Sequence, residues 1–170
     1  MGRPMDQLWA PWRLSYVAAA KKPAAADPCF LCEGLAADDD RKHLIALRTP
    51  RSAVVLNRFP YNNGHLLVAP RAHKGRLDEL TPEEVLDTQE SLRRMVGVLD
   101  ELMHPDGYNV GLNLGHAAGA GLPGHLHWHV VPRWHGDTSF MPVLTDVKVI
   151  VQSLDTLYDL LVERLREEKK

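Results

Sequence analysis

Cysteine is scarce in this chain and long apolar runs are missing. The 170 residues hold two cysteines, Cys29 and Cys32, in "CFLC". A single close pair rules out a disulfide-stapled scaffold. In a reducing compartment it points to metal binding or redox chemistry. No apolar stretch approaches the ~20 residues that a membrane-spanning helix needs. The N-terminus lacks the basic-then-apolar pattern of a secretory leader. The expectation is a cytoplasmic protein with no membrane partner. An excess of one charge is also lacking. The formal net charge is -2 and no segment carries a basic stripe, which argues against broad nucleic-acid binding. What is present is an ordinary globular composition, 45% apolar and 25% charged. The length suits one domain with a real core.

Residues 1–27 read as an aromatic arm carrying Trp9, Trp12 and Tyr16, followed by an Ala/Pro/Lys linker. Residues 28–170 read as a single domain. "HLIALRTPRSAVVLNRFPYNNGHLLVAP" reads as strands and turns, with 52–57 and 64–69 forming a hairpin around "PYNNG". Residues 81–103 predict a helix. Thr81 is the N-cap, Pro82 stands at the first helical position and Glu84 completes a capping box. Val85, Leu92, Val96, Leu99 and Met103 recur at helical spacing as its apolar stripe, and "HPDG" ends it. "YNVGLN" alternates as another strand. Residues 146–168 predict a last helix, with Val147, Ile150, Leu154, Leu157 and Leu161 inward. Hairpins plus two helices make the fold class α+β with a mainly antiparallel sheet.

The chemistry concentrates in "GHLHWHVVPRW". His125, His127 and His129 recur at every second position. On a strand, same-face neighbours lie roughly 7 Å apart, so the three imidazoles share one face and Leu126, Trp128 and Val130 the other. The β-branched and aromatic residues support a strand, with Pro132 marking its end. Imidazole is suited to proton transfer, nucleophilic attack and metal ligation near neutral pH. Two chemistries therefore compete: a metal held by the rings, or a covalent mechanism with one ring as nucleophile. The preceding Gly-rich loop, "LGHAAGAGLPG", lets backbone amides approach an anion closely, which favours phosphate chemistry. "CFLC" is half of a zinc site by spacing. Its redox rival is weaker, because thioredoxin-like pairs follow a strand and open a helix, whereas this one follows a linker.

"HLHWHVV" fits His-φ-His-φ-His-φ-φ, with φ apolar, and so resembles the histidine triad (HIT) superfamily of nucleotide hydrolases and transferases. "NRFPYNNGHLLVAPRAH" resembles that family's other core segment. The arm "LWAPWRLSY", with "GYNVGLNLG" and "HVVPRWHGDTSF", is most similar to the dinucleoside tetraphosphate phosphorylase branch. The resemblance implies a HIT-like fold, with a sheet of about five strands, one long central helix and a C-terminal helix. It implies that His127 attacks the α-phosphorus of a nucleotide, forming a covalent nucleotidyl-histidine. His129 would meet the phosphate or the departing oxygen, and His65 would support the site. Asn57 would hold the ribose hydroxyls, and Asn113 with the Gly119, Ala120 and Gly121 backbone would bind phosphate oxygens. Cys29, Cys32, His73 and His125 would hold a structural zinc ion. Relatives are homodimers whose sheets join. The implied substrate is a dinucleoside polyphosphate of the diadenosine tetraphosphate type. One position departs from the pattern. Where hydrolase relatives carry Gln and phosphorylase relatives Ser, this chain has Gly121, followed by Leu122. The acceptor, water or phosphate, therefore stays open. The alternatives are a nucleoside phosphoramidate or mononucleotide hydrolase, a metal-dependent β-protein using the triple-histidine face as a catalytic metal site, and a nucleotide-binding regulator without turnover.

Overall fold

The computed structural model describes residues 28–137 and 150–168. The order of elements is α1 (Phe30–Ala36), β1 (Ile45–Arg48), β2 (Ser52–Leu56), β3 (Leu66–Pro70), α2 (Pro82–Met103), β4 (Gly107–Leu112), β5 (Trp128–Arg133) and α3 (Leu154–Glu167), with short 3-10 turns at Leu77–Glu79 and His116–Ala118. The five strands form one sheet in the order β1-β2-β3-β5-β4, and each pairing is antiparallel. This is the expected α+β arrangement. The predicted hairpin is present, with Ser52 opposite Pro70 and Leu56 opposite Leu66. All residues of β2 and β3 are buried, and β3 pairs directly with the histidine strand. Among the described residues, no helix is long and apolar enough to cross a membrane. The aromatic arm lies outside the described residues.

α2 begins as its sequence predicts. The Thr81 hydroxyl accepts from the Glu84 amide at 3.3 Å, and the Glu84 carboxylate accepts from the Thr81 amide at 2.7 Å, which satisfies donors that every helix start leaves open. His104, in the left-handed region (φ 46°), closes the other end. The buried face differs from the expected stripe. Leu92 and Leu99 face inward as predicted, but they are joined by Glu84, Thr88, Ser91, Met95 and Val98. Val85 is 40% exposed and Leu86 71%. The reason is polar pairing. The Ser91 hydroxyl meets Ser52 at 2.8 Å, and Glu84 meets the Lys74 ammonium at 2.7 Å. Hydrogen-bonded polar residues occupy positions that an apolar count alone would assign to the surface.

α3 also starts later than its periodicity predicts. Ser153 is the N-cap, its hydroxyl accepting from the Thr156 amide at 3.2 Å. Leu157, Tyr158, Leu161 and Leu165 form the buried side. Ile150 precedes the helix, and Val147 lies outside the described residues.

The histidine strand is shifted as well. β5 begins at Trp128, not His125, and runs through Pro132 to Arg133. Proline is tolerated there because β3 pairs with β5 only as far as Val130, so no ladder bond to β3 is lost at Pro132. Upstream, the Leu126 amide donates to Lys74 O at 2.7 Å and the His125 ring bonds Pro70 O at 2.8 Å. These contacts hold 125–127 in place outside the ladder. The alternation survives: Leu126, Trp128 and Val130 enter the core cluster.

Candidate active site and metal centre

The three triad imidazoles are divided between two neighbouring clusters, and their hydrogen bonds assign the proton on each ring. His125 is fully buried. Its Nε2 lies 2.8 Å from Pro70 O and must donate, so Nδ1 presents a lone pair. That atom is 3.2 Å from Cys29 Sγ and 3.5 Å from Cys32 Sγ. Cys32 Sγ is in turn 3.2 Å from His73 Nδ1. The four donor atoms of Cys29, Cys32, His73 and His125 all lie within 4.8 Å of one another. Tetrahedral zinc bonds of about 2.0–2.3 Å place ligand atoms roughly 3.3–3.8 Å apart, so the donor set fits a closed four-ligand site. Burial, then the neighbouring Cys29, pushes the Cys32 thiol up to about 11. Burial also holds His125 below the ordinary imidazole range, in the neutral form a metal requires.

Local structure brings these ligands together. Cys29 caps α1, its sulfur accepting from the Cys32 amide. Arg48 holds the other end of that helix by donating to Gly34 O, Leu35 O and Ala37 O at 2.8–3.2 Å, while Asp40 pairs with its guanidinium. A cation at exposed helix carbonyls also complements the helix dipole. Gly75 lets the 73–75 turn meet the loop before β5, since a Cβ there would lie 2.9 Å from Pro123 O.

The second cluster contains His127, His129 and His65. His127 Nδ1 lies 2.8 Å from His125 O, so it donates and leaves the Nε2 lone pair available. His65 Nδ1 receives the Tyr61 amide at 2.9 Å and the Asn57 side-chain amide at 3.2 Å. Two donors at Nδ1 put the His65 proton on Nε2, which is 2.9 Å from His129 Nδ1. His129 therefore accepts at Nδ1 and, when neutral, carries its proton on Nε2. Burial, then His127, holds His129 below the ordinary imidazole range. One nucleophilic lone pair and one N–H donor thus occupy rings whose centroids are 5.1 Å apart. The turn before His65 depends on glycine: Gly64 has φ +77°, and a Cβ there would sit 2.9 Å from both Met103 Sδ and Pro132 Cγ.

Asn57 links this cluster to a cavity of about 450 Å³ whose walls include Phe30, His43, Leu44, Leu56, Asn57 and Phe59. Its Oδ1 accepts from the Phe59 amide at 2.9 Å. Phe30 comes from α1, so the short helix that carries both cysteines also walls the cavity. Asn113 Nδ2 lies 3.4 Å from Gly119 O. In the Gly-rich loop, the Gly119 amide donates to His116 O and the Ala120 amide to Gly115 O. Two of the three amides expected to bind phosphate are therefore engaged inside the loop. His43 also lines the cavity. Tyr61 and Arg48 were missed entirely, and no spacing rule singles out either one.

Residues 40–136 match the HIT domain family. The chain belongs to the HIT family. An AP-4-A phosphorylase of Mycobacterium tuberculosis is 38% identical over 154 residues, covering 88% of this chain and 79% of that protein. A bis(5'-nucleosyl)-tetraphosphatase [asymmetrical] of Schizosaccharomyces pombe is 37% identical over 92 residues, 54% of this chain and 50% of that protein. A Zn-bound histidine triad family protein from Mycobacterium smegmatis superposes with a TM-score of 0.67 at 26% identity, covering 84% of this chain and 96% of the other. The HIT match includes His65, His73 and the three triad histidines, and the cysteine pair lies just upstream of it.

Proposed function

We propose that this HIT protein is an enzyme that cleaves dinucleoside polyphosphates of the diadenosine tetraphosphate type through a covalent nucleotidyl-histidine at His127. The observation that carries the reading is the tautomer pattern. His127 Nδ1 is tied to His125 O, which leaves the Nε2 lone pair available. In the first step that lone pair bonds the α-phosphorus. The bond from phosphorus to the bridging oxygen breaks, and the departing polyphosphate takes the electron pair. His129 Nε2–H donates to the phosphoryl or leaving oxygen, and His65 keeps that proton in place. In the second step an oxygen of water or inorganic phosphate attacks phosphorus and the N–P bond returns its electrons to His127. The base enters the Phe30/Phe59 cavity and Asn57 holds the ribose. Asn113 and the Gly-rich loop approach the phosphates once the loop's own bonds at Gly119 and Ala120 exchange for bonds to substrate. Cys29, Cys32, His73 and His125 hold zinc in a structural role, because four protein ligands leave no open position. Residues 28–170 act as one domain behind the 1–27 arm. A second copy of the chain covers β4, one of the two edge strands, where Val110 is 50% exposed.

The names of the relatives support the substrate class, and product analysis tests it. Diadenosine tetraphosphate is incubated with and without inorganic phosphate. ATP and ADP formed together, and only when phosphate is present, identify phosphorolysis. ATP plus AMP identifies hydrolysis. An intact substrate under both conditions sinks the proposal. For Asn57, the expected result is a narrowed preference for ribonucleotides. Losing a hydrogen-bonding partner costs roughly 1–3 kcal/mol, so Asn57→Ala reduces kcat/KM for the ribonucleotide roughly 5- to 150-fold and leaves the 2',3'-dideoxy analogue nearly unchanged. An unaltered ribo/dideoxyribo ratio removes Asn57 from the ribose site.

A further inference from the structure

The walls of the Phe30/Phe59 cavity hold a polar side chain that the rest of the site does not use. Phe30, Leu44, Val55, Leu56, Phe59 and Leu67 make the cavity largely apolar. Glu33, Lys42 and Arg58 also reach it, but all three are exposed, and there water competes for their hydrogen bonds. Asn57 is engaged at both ends of its amide, by the Phe59 amide and by His65. His43 remains. It is partly buried, and among the described residues its ring nitrogens have no hydrogen-bond partner. Every fully buried side-chain nitrogen or oxygen among those residues is paired, so the His43 nitrogens are open to a ligand. We infer that His43 is a specificity-determining residue whose imidazole hydrogen-bonds a polar edge atom of a purine base seated in this cavity. The inference rests on the proposed seating of the base there.

The ring is mounted on a well-defined frame. The Ile45 amide donates to Asp40 O at 2.8 Å and the Leu44 amide to Arg41 O at 3.1 Å. This pair of bonds closes a helical turn on a left-handed residue, a place that glycine usually fills. Leu44 fills it at φ 57°, a conformation that a side chain disfavours, and the burial of Leu44 in the core offsets the cost. α1 packs directly against the ring, since a Cβ on Gly34 would lie 3.1 Å from His43 Cβ and 3.3 Å from both Cγ and Nδ1. Nε2 is the ring atom opposite the Cγ–Nδ1 edge, so it is the nitrogen left for a ligand. A polar base atom that enters apolar surroundings gives up water and needs a partner. His65, His125 and His127 have their tautomers fixed by protein atoms, whereas His43 does not. A neutral imidazole carries one donor and one acceptor. Its Nε2 can therefore accept from an amino group or donate to a ring nitrogen, whichever the base presents.

The test is equilibrium binding of AMP and of three analogues, each lacking one polar base group: the 6-amine (purine riboside 5'-monophosphate), N7 (7-deaza-AMP) or N1 (1-deaza-AMP). The metal-loaded full chain is compared with His43→Phe, which keeps a ring without its nitrogens, and with His43→Gln, which keeps a donor and an acceptor. AMP is expected to bind about 2- to 12-fold more weakly to His43→Phe. One analogue should carry a penalty of the same size in the unaltered chain. That penalty alone should vanish in His43→Phe and return in part in His43→Gln. An equal loss for AMP and all three analogues is the mark of packing alone and overturns the inference, as does an unchanged AMP affinity. A 15N spectrum of the histidine rings in the unaltered chain needs no variant: AMP should shift the His43 Nε2 resonance and the penalised analogue should not. A resonance unmoved by AMP overturns the inference too. Turnover of diadenosine tetraphosphate is followed separately. A chain that cleaves the dinucleotide while His43 is indifferent sinks this inference alone. A chain that cleaves none defeats the proposed function, while the AMP affinities still decide the role of His43.

Discussion

His127→Gly is expected to lower turnover of diadenosine tetraphosphate by several orders of magnitude while leaving nucleotide binding largely intact. The replacement removes the attacking Nε2 and with it the covalent route. It leaves the supports of the other rings in place. His125 keeps its Nε2 bond to Pro70 O, and His129 keeps its Nδ1 contact with His65. In the proposed reading affinity comes from the Phe30/Phe59 cavity and Asn57, and His127 does not line that cavity. Equilibrium binding of a non-hydrolysable analogue beside steady-state kinetics separates the two effects. In the unaltered enzyme, rapid quenching into alkali is expected to trap an acid-labile nucleotide on the peptide 124–133. Near-normal turnover in the glycine variant, or an adduct on another peptide, would show that the triple-histidine segment serves a different purpose.

The second large effect concerns the metal centre. The protein as purified without chelators is expected to hold about one zinc per chain. Cys29→Ser is expected to release it and to lower the thermal midpoint sharply. α1 has seven residues, too few to persist as an isolated helix, so it depends on its ligands at one end and Arg48 at the other. Loss of a metal site belongs to the small group of changes costing about 4 kcal/mol or more, which in a chain of this length is roughly 8–16 °C. The fraction that remains folded at low temperature should retain most of its kcat, because His127 and His129 lie outside the ligand set. Elemental analysis and calorimetry on the same preparation check both halves. A chain that is metal-free from the start, or one whose midpoint is unmoved by Cys29→Ser, excludes the structural role.

The sequence revealed the parts of the site that follow a period or a fixed spacing. Alternation placed His125, His127 and His129 on one side and Leu126, Trp128 and Val130 in the core. The capping pattern at Thr81, Pro82 and Glu84 marked the start of α2 correctly. Strand limits were less legible, because they depend on partners far away in the chain. His125 lies outside β5 since its ring, rather than its ladder position, meets Pro70 O. The inner face of α2 was misread because Ser91 and Glu84 are buried with partners, Ser52 and Lys74, that come from other elements. Tyr61 was invisible for a similar reason. Its ring lies against that of His129, 68 positions later in the chain, and no local pattern encodes that approach.

The spacing of the metal ligands has a consequence for how the molecule assembles. Cys29 and Cys32 are three positions apart, whereas the bond pattern at the centre spans 41 residues to His73 and 96 to His125. The dithiol is therefore complete in a chain that has not yet folded, so in the proposed zinc-binding reading it can take up an ion before any strand has paired. The histidine half exists only after β3 and β5 have come together, a step with the slow kinetics of non-local pairing. Because part of the ion's affinity is already available to the unfolded ensemble, the metal stabilises the native state by less than its total binding free energy. Saturating metal thus raises the population of a loosely held, two-coordinate precursor as well as of the finished fold. The rate at which thiols become protected from exchange reports sheet closure rather than metal arrival.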